Sequence, residues 1–177
     1  QNFTEYPSLY QWSIENIPDF WTAKREFADI KASKSYDQII DDLGKMPGAK
    51  WFSGARLNFT ENLLRYRDDQ TALIFKGEDQ VTARMTYTDL YDEVACVARS
   101  LRTAGVKAAD RVVGFMPNMP ETIIAMLAAT SIGAIWSSCS PDFGIKGVLD
   151  RFGQIQPKVI STVDGYFFKG KQLDSLD

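Results

Sequence analysis

Residues 133–144 read GAIWSSCSPDFG and bring three serines, Cys139 and Asp142 into one short stretch. Hydroxyl and thiol groups serve as nucleophiles in covalent catalysis, but each needs a neighbouring base to activate it. The chain contains no histidine, so its own residues cannot assemble a Ser-His-Asp or Cys-His arrangement. We therefore interpret the stretch as a turn at a strand end, which either contacts a ligand or is an ordinary polar turn.

The composition is that of a globular protein with one main domain and a small appendage. Hydrophobic residues make up 45% of the 177 residues and charged residues 24%, which is enough apolar material for a core. The net charge of −3 argues against nucleic acid as a partner, and no apolar run is long enough to predict a membrane partner. Two cysteines are too few for a disulfide framework or a zinc site, so we expect a cytoplasmic protein without a metal centre. The sequence does not indicate an oligomeric state.

The first 65 residues are rich in aromatic side chains and poor in regular patterns. Within them, apolar residues at helical spacing predict a short amphipathic helix over 17–30. We expect Trp51 and Phe52 to anchor this segment by burying apolar surface. Residues 1–65 are therefore predicted to form an irregular, aromatic-rich helical arm, and residues 66–177 an α/β subdomain.

From residue 71 onward, strand and helix patterns alternate. Two β-rich runs around the turn KGED predict a hairpin, and Thr86 with Asp89 resembles a capping box that begins a helix over 86–105. Asn118 is the predicted N-cap of the next helix, with Pro120 in its first turn. The remaining predicted elements are strands at 111–117, 134–138 and 157–163 and helices at 118–133 and 144–156.

This order of strands and helices predicts consecutive βαβ units and hence an α/β fold. Such units form part of a parallel sheet, with right-handed crossovers and helices on its faces. The loops MPNMP and SSCSPDFG follow two of the strands and would lie at one edge of the sheet. Because open α/β sheets bind ligands at the carboxyl ends of their strands, we expect any binding site at that edge.

Four blocks of sequence occur in the order found in one known family: WFSGARLNFTENLL (51–64), TYTDLYDEV (86–94), and residues 110–144 and 148–171. Together they resemble the N-terminal part of the acyl-CoA synthetases of the adenylate-forming (ANL) superfamily. The stretches WSSCSPDFG and GYFFKGK are most similar to the branch of that family that activates acetoacetate.

The resemblance implies a two-step ligase. ATP, with Mg²⁺, and a short acyl acid such as acetoacetate would give an acyl-adenylate and pyrophosphate, and CoA would then displace AMP to form the thioester. It also implies that the chain is the first lobe of a longer N-terminal domain. The family's glycine-rich phosphate loop, ribose-binding aspartate and adenylation lysine have no match here. We therefore expect no catalytic residue and no bound cofactor in this segment, which alone would be inactive.

The resemblance further implies which residues could contact CoA. Ser140, Pro141 and Asp142 match the loop that approaches CoA in the acetyl-CoA branch, although that branch has an aromatic residue and two glycines there. Lys171 and Phe168 match two arginines near the nucleotide end of CoA, and Lys169 could supply the charge that Phe168 lacks. We therefore expect the 3′-phosphate of CoA near Lys169 and Lys171.

Several alternatives stay open from the sequence. The protein could be a synthetase for acetate or propionate, a free-standing α/β module that binds CoA or a protein, or an inert piece of an enzyme. Asp142 could simply cap the helix that follows it, and both lysines could be solvated surface charges. Cys139 is expected to be a small buried residue without a reactive thiolate.

Overall fold

The computed structural model describes residues 3–78 and 81–175. The chain divides into two compact units, Gln1–Asn58 and Phe59–Asp177. The domain boundary predicted at residues 65 and 66 stays a prediction. Among the residues described, no helix combines the length and apolar character needed to cross a lipid bilayer.

From residue 3 onward, the first unit contains two helices and a pair of short antiparallel strands. Helix α1 (Tyr6–Glu15) was not predicted, whereas α2 (Ile17–Phe27) occupies most of the predicted helix. Strands β1 (Gln38–Ile40) and β2 (Trp51–Ser53) pair antiparallel. Each helix has a proline in its first turn, where the missing N–H removes no helical hydrogen bond.

Aromatic rings hold this first unit together. The ring centroids of Trp12 and Phe20 lie 6.1 Å apart, and those of Trp21 and Trp51 lie 6.2 Å apart, both edge to face. The guanidinium of Arg25 lies 5.5 Å from the centre of the Phe52 ring. Trp51 nevertheless keeps 38% of its surface exposed, so the expected burial of this residue is incomplete.

The second unit begins with α3 (Phe59–Leu63) and the hairpin of β3 (Thr71–Gly77) and β4 (Val81–Thr86). The strands pair antiparallel, which confirms the predicted hairpin, although Asp79 of the predicted turn lies outside the described residues. Helix α4 (Tyr87–Thr103) begins with the predicted capping box. The Asp89 N–H donates to the Thr86 hydroxyl at 3.1 Å, and the Asp89 carboxylate accepts from the Thr86 N–H at 2.9 Å.

The predicted parallel sheet is confirmed. Its strands are β5 (Arg111–Phe115), β6 (Ile135–Cys139) and β7 (Val159–Thr162), in the spatial order β6-β5-β7. Helices α5 (Pro120–Ser131) and α6 (Ile145–Ile155) are the crossovers. Both pairings are parallel, so the carboxyl ends of all three strands meet at one edge.

Helices cover both faces of this sheet. Alternate residues of β5 point to opposite sides: Val112 lies in a core cluster with Val94 of α4 and Leu127 of α5. Val113 lies in a second cluster with Phe152 of α6. Each fully buried side chain of this kind contributes about 1.5–3 kcal/mol. The two clusters fix the strand ends that carry the candidate loops.

The predicted N-cap of α5 is wrong. The cap position belongs to Met119, which is extended with φ −139° and ψ 164°, and no side chain caps the helix there. The cause is Pro120, because a proline ring disfavours the helical conformation in the residue before it and favours the extended one. The helix therefore begins at Pro120, one residue later than it would if Asn118 were its N-cap.

A second hairpin follows the sheet and was not predicted. Strands β8 (Gly165–Phe168) and β9 (Lys171–Asp174) pair antiparallel, with Phe168 opposite Lys171. Lys169 and Gly170 form the two-residue turn, and both have positive φ values, 52° and 71°. Left-handed values at both positions are typical of the tight turn that matches the twist of a hairpin.

Candidate functional site

The carboxyl ends of the parallel strands border a cleft of about 1020 Å³. Its walls come from the tip of the β3–β4 hairpin, residues 117–121 after β5, residues 140–142 after β6, and parts of the β8–β9 hairpin. The loops MPNMP and SSCSPDFG therefore contribute to one cavity, as their place in the sheet predicts.

Ser140, Pro141 and Asp142 all line this cleft. The Ser140 hydroxyl donates to one oxygen of the Asp142 carboxylate at 2.8 Å, and the Tyr166 hydroxyl donates to the other at 3.0 Å. Burial raises the pKa of Tyr166, and the neighbouring Asp142 raises it further, so Tyr166 stays a hydrogen-bond donor at neutral pH. The loop after β6 is thereby tied to strand β8 across the cleft.

The alternative that Asp142 caps the next helix is wrong. Gly144 is the N-cap of α6, and no side-chain hydrogen bond is made at that end. Instead, the two carboxylate oxygens of Asp142 accept hydrogen bonds from Ser140 and Tyr166. Sequence reasoning singled out Asp142 but missed Tyr166. The two residues are 24 positions apart, and they meet only because the loop after β6 and strand β8 line the same cleft.

Cys139 is buried, as expected, and faces the second core cluster rather than the cleft. Burial raises the pKa of its thiol, an effect that the nearby Arg151 only partly offsets. The residue is thus a thiol rather than a thiolate at neutral pH, which argues against a nucleophilic role. In the part of the chain that the structure describes, no three carboxylate, thiol or imidazole groups come together as metal ligands.

The described lining of the cleft is acidic. It includes one lysine, Lys76, and five carboxylates: Glu78, Glu121, Asp142, Asp164 and Asp174. Aromatic and apolar side chains, among them Phe75, Met119, Phe167 and Phe168, supply much of the remaining wall. Because like charges repel, such a cavity suits an uncharged chain better than a phosphate.

Lys169 and Lys171 lie at the tip of the β8–β9 hairpin and are exposed. Neither belongs to the lining of the cleft, although the neighbouring Phe168 does. The Lys169 ammonium lies 5.1 Å from the centre of the Phe168 ring, which places its charge beside the cavity wall. The predicted residues therefore fall into two groups, three inside the cleft and two lysines just outside it.

The tip of the β3–β4 hairpin meets the same turn. The Glu78 carboxylate accepts one hydrogen bond from the Lys169 N–H at 2.6 Å and another from the Gly170 N–H at 2.8 Å. Sequence reasoning treated Glu78 only as a turn residue. No local signal could have paired it with a turn 91 positions further along the chain.

Residues 59–176, which include the whole parallel sheet and the cleft, match the family model described as AMP-binding enzyme. The chain belongs to the AMP-binding enzyme family. Residues 6–63 of this AMP-binding family member match a second model, described as the N-terminus of acetyl-coenzyme A synthetase.

Individual relatives of this AMP-binding family member are similar over nearly the whole chain. It is 48% identical to an acetoacetyl-coenzyme A synthetase of Rhizobium meliloti, covering 98% of this chain and 27% of the relative. It is 46% identical to an acetoacetyl-CoA synthetase of Macaca fascicularis, in an alignment that covers 97% of this chain and 26% of the relative. The solved structure of acetoacetyl-CoA synthetase from Streptomyces lividans superposes with a TM-score of 0.90 at 42% identity, covering 97% of this chain and 27% of that one. The chain thus spans about a quarter of the length of the relatives that it matches.

Proposed function

We propose that the full-length protein is an acid–thiol ligase that forms acetoacetyl-CoA. It would activate acetoacetate with ATP, in the presence of Mg²⁺, to an acyl-adenylate and pyrophosphate, and then transfer the acyl group to CoA with release of AMP. The observation that carries this proposal is the 42–48% identity to acetoacetyl-CoA synthetases across nearly every residue of the chain. The aligned region extends through both compact units and includes the candidate cleft.

This chain would serve as the first lobe of the N-terminal domain and would bind rather than catalyse. It has no histidine to activate a nucleophile, and its buried Cys139 has a raised pKa. We assign no catalytic residue to it. The division into an arm over 1–65 and a subdomain over 66–177, and the cytoplasmic location, stay predictions.

CoA would contact this lobe in two places. Its phosphorylated nucleotide end would lie near Lys169 and Lys171, and its uncharged arm would pass Ser140, Pro141 and Asp142. The charge distribution supports this division, because the carboxylates of the cleft repel phosphate whereas the hairpin tip presents two ammonium groups. Lysines would act as point charges and not as bidentate forks.

A synthetase for acetate is the second candidate, because residues 6–63 match a model named after acetyl-coenzyme A synthetase. Thioester formation by the full-length protein, measured with acetoacetate, acetate and propionate under identical ATP and CoA, separates the two. We expect the highest kcat/KM for acetoacetate. A preference for acetate or propionate would overturn the proposal, and an absence of thioester with all three acids would favour a non-catalytic binding module.

A further inference from the structure

The turn at Lys169 and Gly170 has the geometry of an anion site. Consecutive left-handed residues direct neighbouring N–H groups to one side of the chain, where they can share an anion. In this structure the anion is the Glu78 carboxylate, which places one oxygen on each N–H, at 2.6 Å and 2.8 Å. The protein itself therefore shows that the turn binds an oxyanion.

Two lysines belong to or follow the same turn. Lys169 is one of its two residues, and Lys171 follows directly. Within residues 3–78 and 81–175, neither ammonium is engaged in an ion pair, since the pairs that form involve other residues. Two N–H donors together with two cationic side chains suit a phosphate, which offers more oxygens and more charge than one carboxylate.

We propose that the Lys169–Gly170 turn is a phosphate-binding turn that Glu78 occupies in the free protein, and that a phosphate-bearing ligand displaces Glu78. The inference rests on the proposed function only for the source of the phosphate, which would be the 3′-phosphate of CoA. The turn and Glu78 are themselves described contacts.

Displacement of Glu78 also changes the cleft. Glu78 lies at the tip of the β3–β4 hairpin, and Phe168 ends strand β8, and both line the cavity. The carboxylate joins these two hairpin tips, so its release allows them to separate. Phosphate binding at the turn and access to the cleft are thereby coupled through one side chain.

An internal competitor weakens the apparent affinity of a ligand by the fraction of molecules in which the site is open. If Glu78 occupies the turn in about nine molecules of ten, its removal strengthens phosphate binding about tenfold. Glu78→Ala removes the competitor completely. Glu78→Gln keeps its size and one acceptor but removes its charge, so it should give a smaller gain.

The test is a titration of the full-length protein, labelled with ¹⁵N at lysine and glycine, with inorganic phosphate at constant ionic strength. We expect the Lys169 and Gly170 amide signals to shift, with a dissociation constant about five to ten times lower in Glu78→Ala than in the wild type. Glu121→Gln is the matched control, because it removes a charge from the same cleft without touching the turn. An equal gain in Glu121→Gln and Glu78→Gln, or unmoved amide signals in both Glu78 variants, would overturn the proposal.

CoA and 3′-dephospho-CoA identify the source of the phosphate. Tighter binding of CoA than of dephospho-CoA to Glu78→Gln supports the 3′-phosphate as the displacing group. Equal binding of the two, with phosphate still shifting the Gly170 amide, overturns that source but leaves the turn as an anion site. Thioester formation is measured separately, so a failure of the proposed function would not be mistaken for a failure of the turn.

Discussion

The close approach of Gly114 to Trp136 leads to a quantitative prediction about the sheet that supports the cleft. Gly114 is buried in the central strand β5, and a Cβ added there would lie 2.7 Å from Cη2 and Cζ2 of the Trp136 indole. Nonbonded carbon atoms prefer separations of about 3.5–4.0 Å, so the indole would have to move by roughly 1 Å. Trp136 packs against the main core cluster, which leaves it little room to do so.

Gly114→Ala is therefore expected to lower the free energy of unfolding by about 1–3 kcal/mol, the usual cost of overpacking a core. For a chain of this size each kcal/mol lowers Tm by about 2–4 °C. Urea and thermal unfolding, followed by tryptophan fluorescence and circular dichroism, measure both quantities.

Gly153→Ala is the matched control. Gly153 lies within helix α6, and an added Cβ there meets no atom within 4 Å. Because alanine is the better helix former, this variant should raise the free energy of unfolding by about 0.5–1 kcal/mol. Gly114→Ala with the stability of the wild type, or an equal loss of stability in both variants, would show that Trp136 does not restrict this position.

Three further predictions concern titration and binding. The hydrogen bond from Lys45, together with a backbone N–H, lowers the pKa of Asp41 to about 2. The wild type should therefore be more stable than Asp41→Asn at pH values above the ordinary carboxyl pKa, and this difference should vanish as the pH falls towards 2. Urea unfolding midpoints of the two proteins, measured across pH, test this expectation. Because the pKa of Tyr166 is raised, ultraviolet titration of Tyr166→Phe should lack a component of tyrosine ionisation that the wild type shows at high pH; if that component persists in the variant, the assignment is wrong. In the full-length protein, replacing Lys169 and Lys171 with alanine should raise the KM for CoA about tenfold, which corresponds to about 1.4 kcal/mol. Acid-dependent ATP–pyrophosphate exchange should stay intact, and its loss would place these lysines in folding or ATP binding instead.

The parallel sheet could be predicted because its signals are local. The central strand β5 is a short, mainly apolar run, and the capping box of α4 depends on two residues three positions apart. The same kind of local reasoning failed at Asn118. Its side chain favours the N-cap position, but Pro120 favours an extended backbone at Met119, so the helix begins after Met119. A conformational restriction thus outweighed a side-chain preference.

The cleft could be predicted only in part. The loop at Ser140–Asp142 was found because it follows a strand, but the β8–β9 hairpin was missed because its turn begins with Lys169, a residue uncommon at positive φ. The partners Tyr166 and Glu78 were missed because each depends on a contact between distant elements. Sequence patterns locate the strand ends, whereas the hydrogen bonds between side chains and turns at those ends depend on the tertiary structure.

The separation of charge around the cleft determines how an extended ligand can lie in it. Two like charges 8 Å apart repel by about 0.5 kcal/mol in bulk water and by about 2 kcal/mol at the effective dielectric of a protein surface. Four carboxylates other than Glu78 line the cleft, so a phosphate inside it would meet several such repulsions, whereas at the hairpin tip, once Glu78 is displaced, it would meet the ammonium groups of Lys169 and Lys171. A ligand with phosphates at one end and an uncharged chain at the other therefore has one favourable direction. Its phosphates would lie at the turn, where we propose that they compete with Glu78, and its neutral chain would run past Asp142 towards the ends of the parallel strands.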